Sequence, residues 1–356
     1  MESPKYAFID SLRGLAIMLV LLVHTGQQFN QTYFHLIFKD FLENGQLGVQ
    51  LFYLVSSFTL MLSCRSREGE SNFKKKFFIR RFFRIAPVYY LVTVYYTFER
   101  YLGFNASQFG DHLHNFPIIK LITGMLFING FYPTTMNSYV PGGWSIAVEM
   151  MFYIMLPIIF NKIRTLRQSI LLFSVSLLLS VWFRSLLINP FFEKGNFCSF
   201  NFINQFPMFC LGIIAYFVVR DGLEGLKTKD YLVLAFLFLF SCYFQLPYYM
   251  IYSLFFFFLL IGLSKGVFVF IVNPATMFIG KISFSIYLIH FVVIYWASQV
   301  VNLRTIDFSN AIISYLAYLF YYFIILSLTS FIAYFSYKYI EIPSQKQGRK
   351  IIETLK

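Results

Sequence analysis

Ten apolar runs close to the twenty or so residues needed to cross a bilayer punctuate the chain, at about 13 to 30, 46 to 63, 85 to 98, 144 to 160, 169 to 187, 203 to 219, 230 to 246, 249 to 264, 276 to 297 and 311 to 337. They lack the period-2 alternation of a membrane barrel: Phe255 to Leu260, for example, is apolar at every position, which predicts helices. The expected fold is therefore all-α, a polytopic transmembrane bundle of about ten spanning helices. A further run, Ile118 to Asn129, is too short to span comfortably and leads into the Pro- and Gly-rich segment Tyr132 to Gly143. It is predicted to be re-entrant or interfacial.

Composition agrees with this reading. Of 356 residues 58% are hydrophobic and 13% charged, against about 25% charged in soluble domains, and mean hydropathy is +0.65. The 48 Phe and 26 Tyr suit a helical bundle with aromatic rims. A net charge of +13 would suggest a nucleic-acid partner in a soluble protein. Here it sorts by loop instead, which points to membrane lipid and to no nucleic acid.

Ten spans with a cytoplasmic N-terminus place 23 Lys and Arg inside and 6 outside. The inside set takes in Arg65 to Arg84, Lys162 to Arg167, Arg220 to Lys229 and the tail from Lys338. Counting Ile118 to Asn129 as a crossing would reverse every later loop against the positive-inside rule, so both termini are expected in the cytoplasm. Residues 1–345 form the expected membrane domain and residues 346–356 a short basic cytoplasmic tail. Tyr6 to Gln27 has signal-peptide length but no small-residue cleavage site follows it, and it is read as a retained first helix. Cys64, Cys198, Cys210 and Cys242 show no CxxC spacing and are read as small buried side chains, with no metal site.

Ionisable residues inside such runs are where chemistry is to be sought. Arg13 opens the first span and His24 lies eleven residues on, close to three helical turns, so both project from nearly one face about 16 Å apart. Arg13 suits either a flanking anchor or a functional cation, with Asp10 three residues earlier to orient it. His24 is either a satisfied structural histidine or a general base suited to neutral pH.

In IRRFFRIAPVYY, Arg80, Arg81 and Arg84 share a helical surface and form a cationic cluster. It suits anionic lipid and topology setting, or a phosphorylated cytosolic ligand, for which forked guanidinium donors are apt. In PGGWSIAVEMMFY, Glu149 follows Ser145 by one turn, and a carboxylate there is expected to meet a cation, an imidazole or a substrate hydroxyl. Trp144 reads as an interfacial anchor. Ser283, Tyr287 and His290 make one polar stripe at i, i+4 and i+7, open to interhelical hydrogen bonding or to a ligand. The Asp111-His112-Leu113-His114 cluster stays unassigned.

Together these stretches resemble the membrane acyltransferase-3 family. The resemblance rests on Arg13, ten residues, then His24; on Gly48 to Phe58; and on Arg81-x-x-Arg84 followed by Pro87 and Tyr89. It rests further on WSIAVE at Trp144 to Glu149, on the Ser283-to-His290 stripe, and on Glu341 with Pro343, all in order over nearly the whole chain. One departure is Ser56-Ser57-Phe58, where many members carry Ser-Gly-Phe.

The resemblance implies a bacterial inner-membrane O-acetyltransferase of surface polysaccharides. It implies acetyl-CoA or another acyl-CoA as donor from the cytoplasm, a glycan hydroxyl as acceptor, Arg13 and His24 as the catalytic pair, and donor recognition by Arg81 and Arg84. No fused extracytoplasmic esterase-like domain is expected, so transfer is expected within the bundle. His24 is expected to act as general base or transient acyl carrier, and Glu149 to position His24 or the acceptor. The residues by themselves equally suit a proton-coupled transporter of an anionic or lipid-linked solute.

Overall fold

The computed structural model describes residues 6–29, 34–102, 118–131, 135–136, 140–187, 196–223, 226, 248–303, 305–306 and 310–355. The apolar run 230–246, Asp111, His112, His114, Cys242 and half of the segment Tyr132 to Gly143 lie outside them.

Among the described residues the chain is helical, without strands. The helices are α1 (Ala7–Gly26), α2 (Leu36–Asn44), α3 (Gly48–Arg65), α4 (Phe73–Tyr101), α5 (Ile118–Met125), α6 (Gly143–Lys162) and α7 (Leu166–Leu187). Then come α8 (Asn196–Phe200), α9 (Phe202–Asp221), α10 (Tyr248–Ser264), α11 (Pro274–Lys281), α12 (Ser283–Val300), α13 (Ala311–Ser336) and α14 (Ile342–Glu353). Seven helices among the described residues are long and apolar enough to cross a membrane. Of the other expected spans, 85–98 falls inside α4, whose first turns are cationic, and 249–264 forms the 17-residue α10. The short α5, eight residues or about 12 Å long, cannot cross.

The expected single span at 276–297 is two helices. Asn273 caps α11 in a reciprocal box with Thr276, Pro274 occupies its first turn, and the chain breaks at Ile282 before α12 begins. The break follows from packing on α1. A Cβ on Gly280 would lie 1.7 Å from the Asp10 carbonyl oxygen, and one on Gly14 would lie 2.2 Å from that of Thr276. The two backbones approach as closely as small residues permit in membrane helix pairs.

α1 is the hub, packed against α3, α11, α12 and α13. Tyr318 and Tyr322 of α13 donate to the α1 carbonyls of Leu22 and Met18 at 2.9 and 3.1 Å. Such interhelical bonds are worth about 0.6 kcal/mol each in a membrane. On the other side α9 packs between α3 and α7. At one end of the bundle Arg65 pairs with Glu68, Arg164 Nη1 reaches Glu68 Oε1 at 2.6 Å, and Arg220 donates to the Arg164 carbonyl. Three basic segments that the charge pattern assigns to one side therefore meet at one end. After a π-helical segment at Tyr337–Glu341, α14 docks on α4, with Ser344 Oγ donating to the Phe83 carbonyl at 2.9 Å.

Candidate active site

A cavity of about 910 Å³ opens among α1, α3, α4, α6, α11 and α12. Its ruler is α3, which lines it at Val49, Phe52, Tyr53, Ser56, Thr59 and Ser63, positions that recur on one helical face. From Val49 to Ser63 that face is about 21 Å long at 1.5 Å per residue, so the cavity is elongated. Each polar group on the other helices can be placed along it by its α3 partner.

Beyond Ser63 the wall is completed by Arg67, with Arg81 and Arg84 contributed by α4. Arg81 lies over the rings of Phe77 and Tyr153, at 5.8 and 5.9 Å to their centroids. Its Nε is buried without a hydrogen-bond partner among the described residues. At the Thr59 level Arg13 enters from α1: Nη1 donates to Asp10 Oδ1 and Nη2 to Thr59 Oγ1, both at 3.2 Å. At Ser56, Glu149 Oε1 accepts from Ser56 Oγ and Tyr153 Oη, both at 2.6 Å. At Tyr53, the phenol donates to the Ser145 carbonyl at 3.2 Å, and Ser145 Oγ lies 2.6 Å from Tyr287 Oη. Ser283 also lines the wall.

Arg13, Arg67, Arg81, Arg84 and Lys281 face two acids, Asp10 and Glu149. Asp10 is paired with Arg13, and Glu149 is engaged by two hydroxyls. The arrangement is an elongated, net cationic channel with its guanidinium groups gathered towards one end. It can take a phosphate-bearing ligand at that end and a neutral extension along the remainder.

Other candidates from the sequence lie elsewhere. Arg80 is not in the cavity wall; its Nη2 donates to both Glu70 oxygens, at 2.6 and 2.7 Å. The Arg80 hydrogen bond, with Lys76 nearby, holds the Glu70 carboxyl below its usual range. Trp144 stacks on Phe200 with ring centroids 4.0 Å apart and planes 7° from parallel. His24 and His290 also lie outside the wall, facing each other with ring centroids 5.3 Å apart.

The Nδ1 contacts favour one tautomer for each imidazole. His24 Nδ1 lies 3.2 Å from Gln27 Oε1, and His290 Nδ1 lies 2.7 Å from the Tyr287 carbonyl. Both partners are acceptor oxygens, so a neutral ring carries its proton on Nδ1 and presents the lone pair on Nε2. His24 sits in the last turn of α1, which puts the imidazole pair near the end of that helix remote from Arg13. α1 is unbroken from Ala7 to Gly26, so the three-turn separation of Arg13 and His24 stands.

Several participants escaped the sequence reading. Tyr153, Ser56 and Thr59 hold Glu149 and Arg13, and only the i+4 spacing of Glu149 and Tyr153 hinted at any of this. Glu341, part of the family resemblance, is buried and accepts from Ser285 Oγ at 2.5 Å, with Ser336 Oγ 2.9 Å from the same hydroxyl. The departure at Ser57 faces α9 instead of the cavity: Ser57 Oγ would lie 2.0 Å from a Cβ on Gly212. The glycine missing from α3 thus has its counterpart across the interface.

Comparison with known proteins shows the family. A family profile described as an acyltransferase domain matches residues 6–338. A protein of Acidianus two-tailed virus, provisionally named an acetyltransferase, is 27% identical over 301 residues, covering 79% of this chain and 81% of the viral one. A Staphylococcus aureus (strain COL) protein, provisionally named an O-acetyltransferase, is 24% identical over 379 aligned positions, covering 97% of this chain. A peptidoglycan O-acetyltransferase of Listeria monocytogenes is 26% identical over 166 residues, covering 44% of this chain. This chain spans 58% of the staphylococcal protein's length and 24% of the listerial one's. No solved structure matches it. With the profile covering nearly all of its helices, the chain belongs to the acyltransferase-3 family of membrane acyltransferases.

Proposed function

We propose that this membrane-embedded acyltransferase moves an acetyl group from acetyl-CoA to a hydroxyl of a surface polysaccharide or its lipid-linked precursor, in the inner membrane of a bacterium. The observation that carries the reading is the elongated cavity, cationic around Arg81 and Arg84 and neutral towards Tyr53 and Phe52. About ten spans with both termini in the cytoplasm would open the cationic end to cytosolic donor, as the loop charges require.

On this reading Arg81, Arg84 and Arg67 hold the CoA phosphates with forked, charge-assisted hydrogen bonds. Arg13 lies about three turns from His24 on an unbroken helix, too far for both to touch one carbonyl. Arg13 therefore guides the donor, and His24 does the proton transfer. The acceptor oxygen attacks the thioester carbonyl as its proton passes to His24 Nε2. The tetrahedral oxyanion then collapses, the C–S bond breaks, and the CoA thiolate takes the proton back from the imidazolium. Glu149, held by Ser56 and Tyr153, shapes the passage between the two ends.

The test compares the acetyl content of the host's surface glycans, and acetyl-CoA turnover by the purified chain, for the wild type and His24→Ala. Loss of both with a normally folded protein is expected. Unchanged acetylation in the variant would remove the claim.

A further inference from the structure

The cavity and the imidazole pair are adjacent but separate, and Tyr287 stands between them. Its side chain forms part of the cavity wall and meets Phe52 edge-on at 6.3 Å between centroids. On its other side it lies 5.8 Å from the His290 ring, which is itself 5.3 Å from His24.

The ring is held in place through its hydroxyl. Tyr287 Oη lies 2.6 Å from Ser145 Oγ and 3.0 Å from the Gly142 carbonyl oxygen, while Ser145 Oγ lies 2.8 Å from that same oxygen. Two hydroxyl protons serve these three contacts, so either proton arrangement keeps the ring tied to the start of α6. The loop is fitted to the ring. Gly142 has φ +75°, and a Cβ there would approach Tyr287 Oη to 2.8 Å, so both the backbone angle and the space favour glycine.

We propose that Tyr287 sets the length of the acyl group the enzyme accepts, by narrowing the donor cavity beside Phe52. The inference rests on the acyl-CoA reading above. The α3 ruler decides which end of the donor meets the ring. With phosphates at Arg81 and Arg84 and the pantetheine arm passing Arg13 at Thr59, the thioester arrives near Phe52, about 10 Å further along the helix. There an acetyl group ends short of the Tyr287 ring. A longer chain has to displace a ring anchored by Ser145 and Gly142, or fold back on itself.

The test measures binding of free CoA, acetyl-CoA, butyryl-CoA and hexanoyl-CoA to the purified full chain in nanodiscs, for the wild type and variants at position 287. Hexanoyl-CoA should bind wild type on the order of tenfold or more weakly than acetyl-CoA. Tyr287→Ala should reduce that gap to about threefold or less, because each newly accommodated methylene gains about fourfold from burial. Tyr287→Trp should weaken acetyl-CoA relative to free CoA. Tyr287→Phe keeps the ring but removes its anchor and should give a gap between those of the wild type and the alanine variant, and Tyr287→Leu carries the enlargement test if the alanine variant does not fold. Wild-type ratios in both the enlarged and the Trp variant would overturn the proposal while leaving the donor reading intact. Failure of the wild type to bind any CoA thioester would overturn both.

Discussion

The ring of His24 faces that of His290 at 5.3 Å between centroids, and neither ring belongs to the wall of the cationic cavity. The proposed base and the proposed donor-binding groups are thus set apart: Arg13 lines the cavity and His24 does not, although one unbroken helix carries both.

The ring orientation of His24 gives the first prediction. The Gln27 side chain lies 3.2 Å from His24 Nδ1 and orients the ring, so Gln27→Ala should lower kcat on the order of tenfold, about the 1.4 kcal/mol of one hydrogen bond. The KM for acetyl-CoA should not move. Steady-state kinetics checks this, and an unaltered kcat would show that the contact plays no part in orienting the base.

The arginine cluster divides into two roles. Arg81 and Arg84 line the cavity, whereas Arg80 is committed to Glu70. Arg81→Ala and Arg84→Ala should each raise the KM for acetyl-CoA by about tenfold to a hundredfold, the worth of a charge-assisted hydrogen bond of about 1.5–3 kcal/mol. Arg80→Ala should leave it within about twofold. Equal effects at all three positions would favour a diffuse electrostatic role over specific contacts.

Glu70 offers a pH test. Its carboxyl is held by Arg80 below the usual 4.5, so the pairing stabilises the segment between α3 and α4 at any pH above that value. The stabilisation is lost as pH falls through the lowered folded-state value. Protease nicking between residues 66 and 72 should therefore rise only as pH falls below 4.5. Glu70→Gln should be nicked at the same rate across that range, and a wild-type profile in the variant would assign the transition to another group.

The α3–α9 interface gives a stability test. A Cβ on Gly212 would lie 2.0 Å from Ser57 Oγ and 2.2 Å from the Leu54 carbonyl oxygen. Gly212→Ala should destabilise the protein by about 1–3 kcal/mol through overpacking. Ser57→Gly should not restore it, because the backbone contact persists. Thermal unfolding in detergent measures both, and full rescue by Ser57→Gly would mean that the helices separate easily at Leu54.

Much of this architecture is legible in the linear chain. Bilayer crossing imposes length and uniform apolarity on every helix, so the runs at 144–160, 169–187 and 203–219 anticipate α6, α7 and α9 closely. The break at Ile282 escaped because Gly280 and Gly14 reveal a backbone-to-backbone contact only when α11 lies against α1. Within 276–297 the Gly280-Lys281 interruption is the local mark of the break, but one Gly-Lys pair does not by itself tell a break from a continuous span.

For the site, the sequence by itself determined which residues are costly in a membrane. Arg13, His24 and Glu149 stand out because charge and imidazole are expensive there, whatever their neighbours. Only the tertiary structure decided how they are distributed. It places Glu149 against Ser56 and Tyr153, turns Arg80 away to Glu70, lines the cavity with Arg13, Arg81 and Arg84, and puts Tyr287 between that cavity and the histidines. The physical reason is that helical periodicity fixes the face a side chain shares with its own helix. The partner across the interface depends on how α1, α3, α4, α6 and α12 close around the cavity, and no local spacing encodes that.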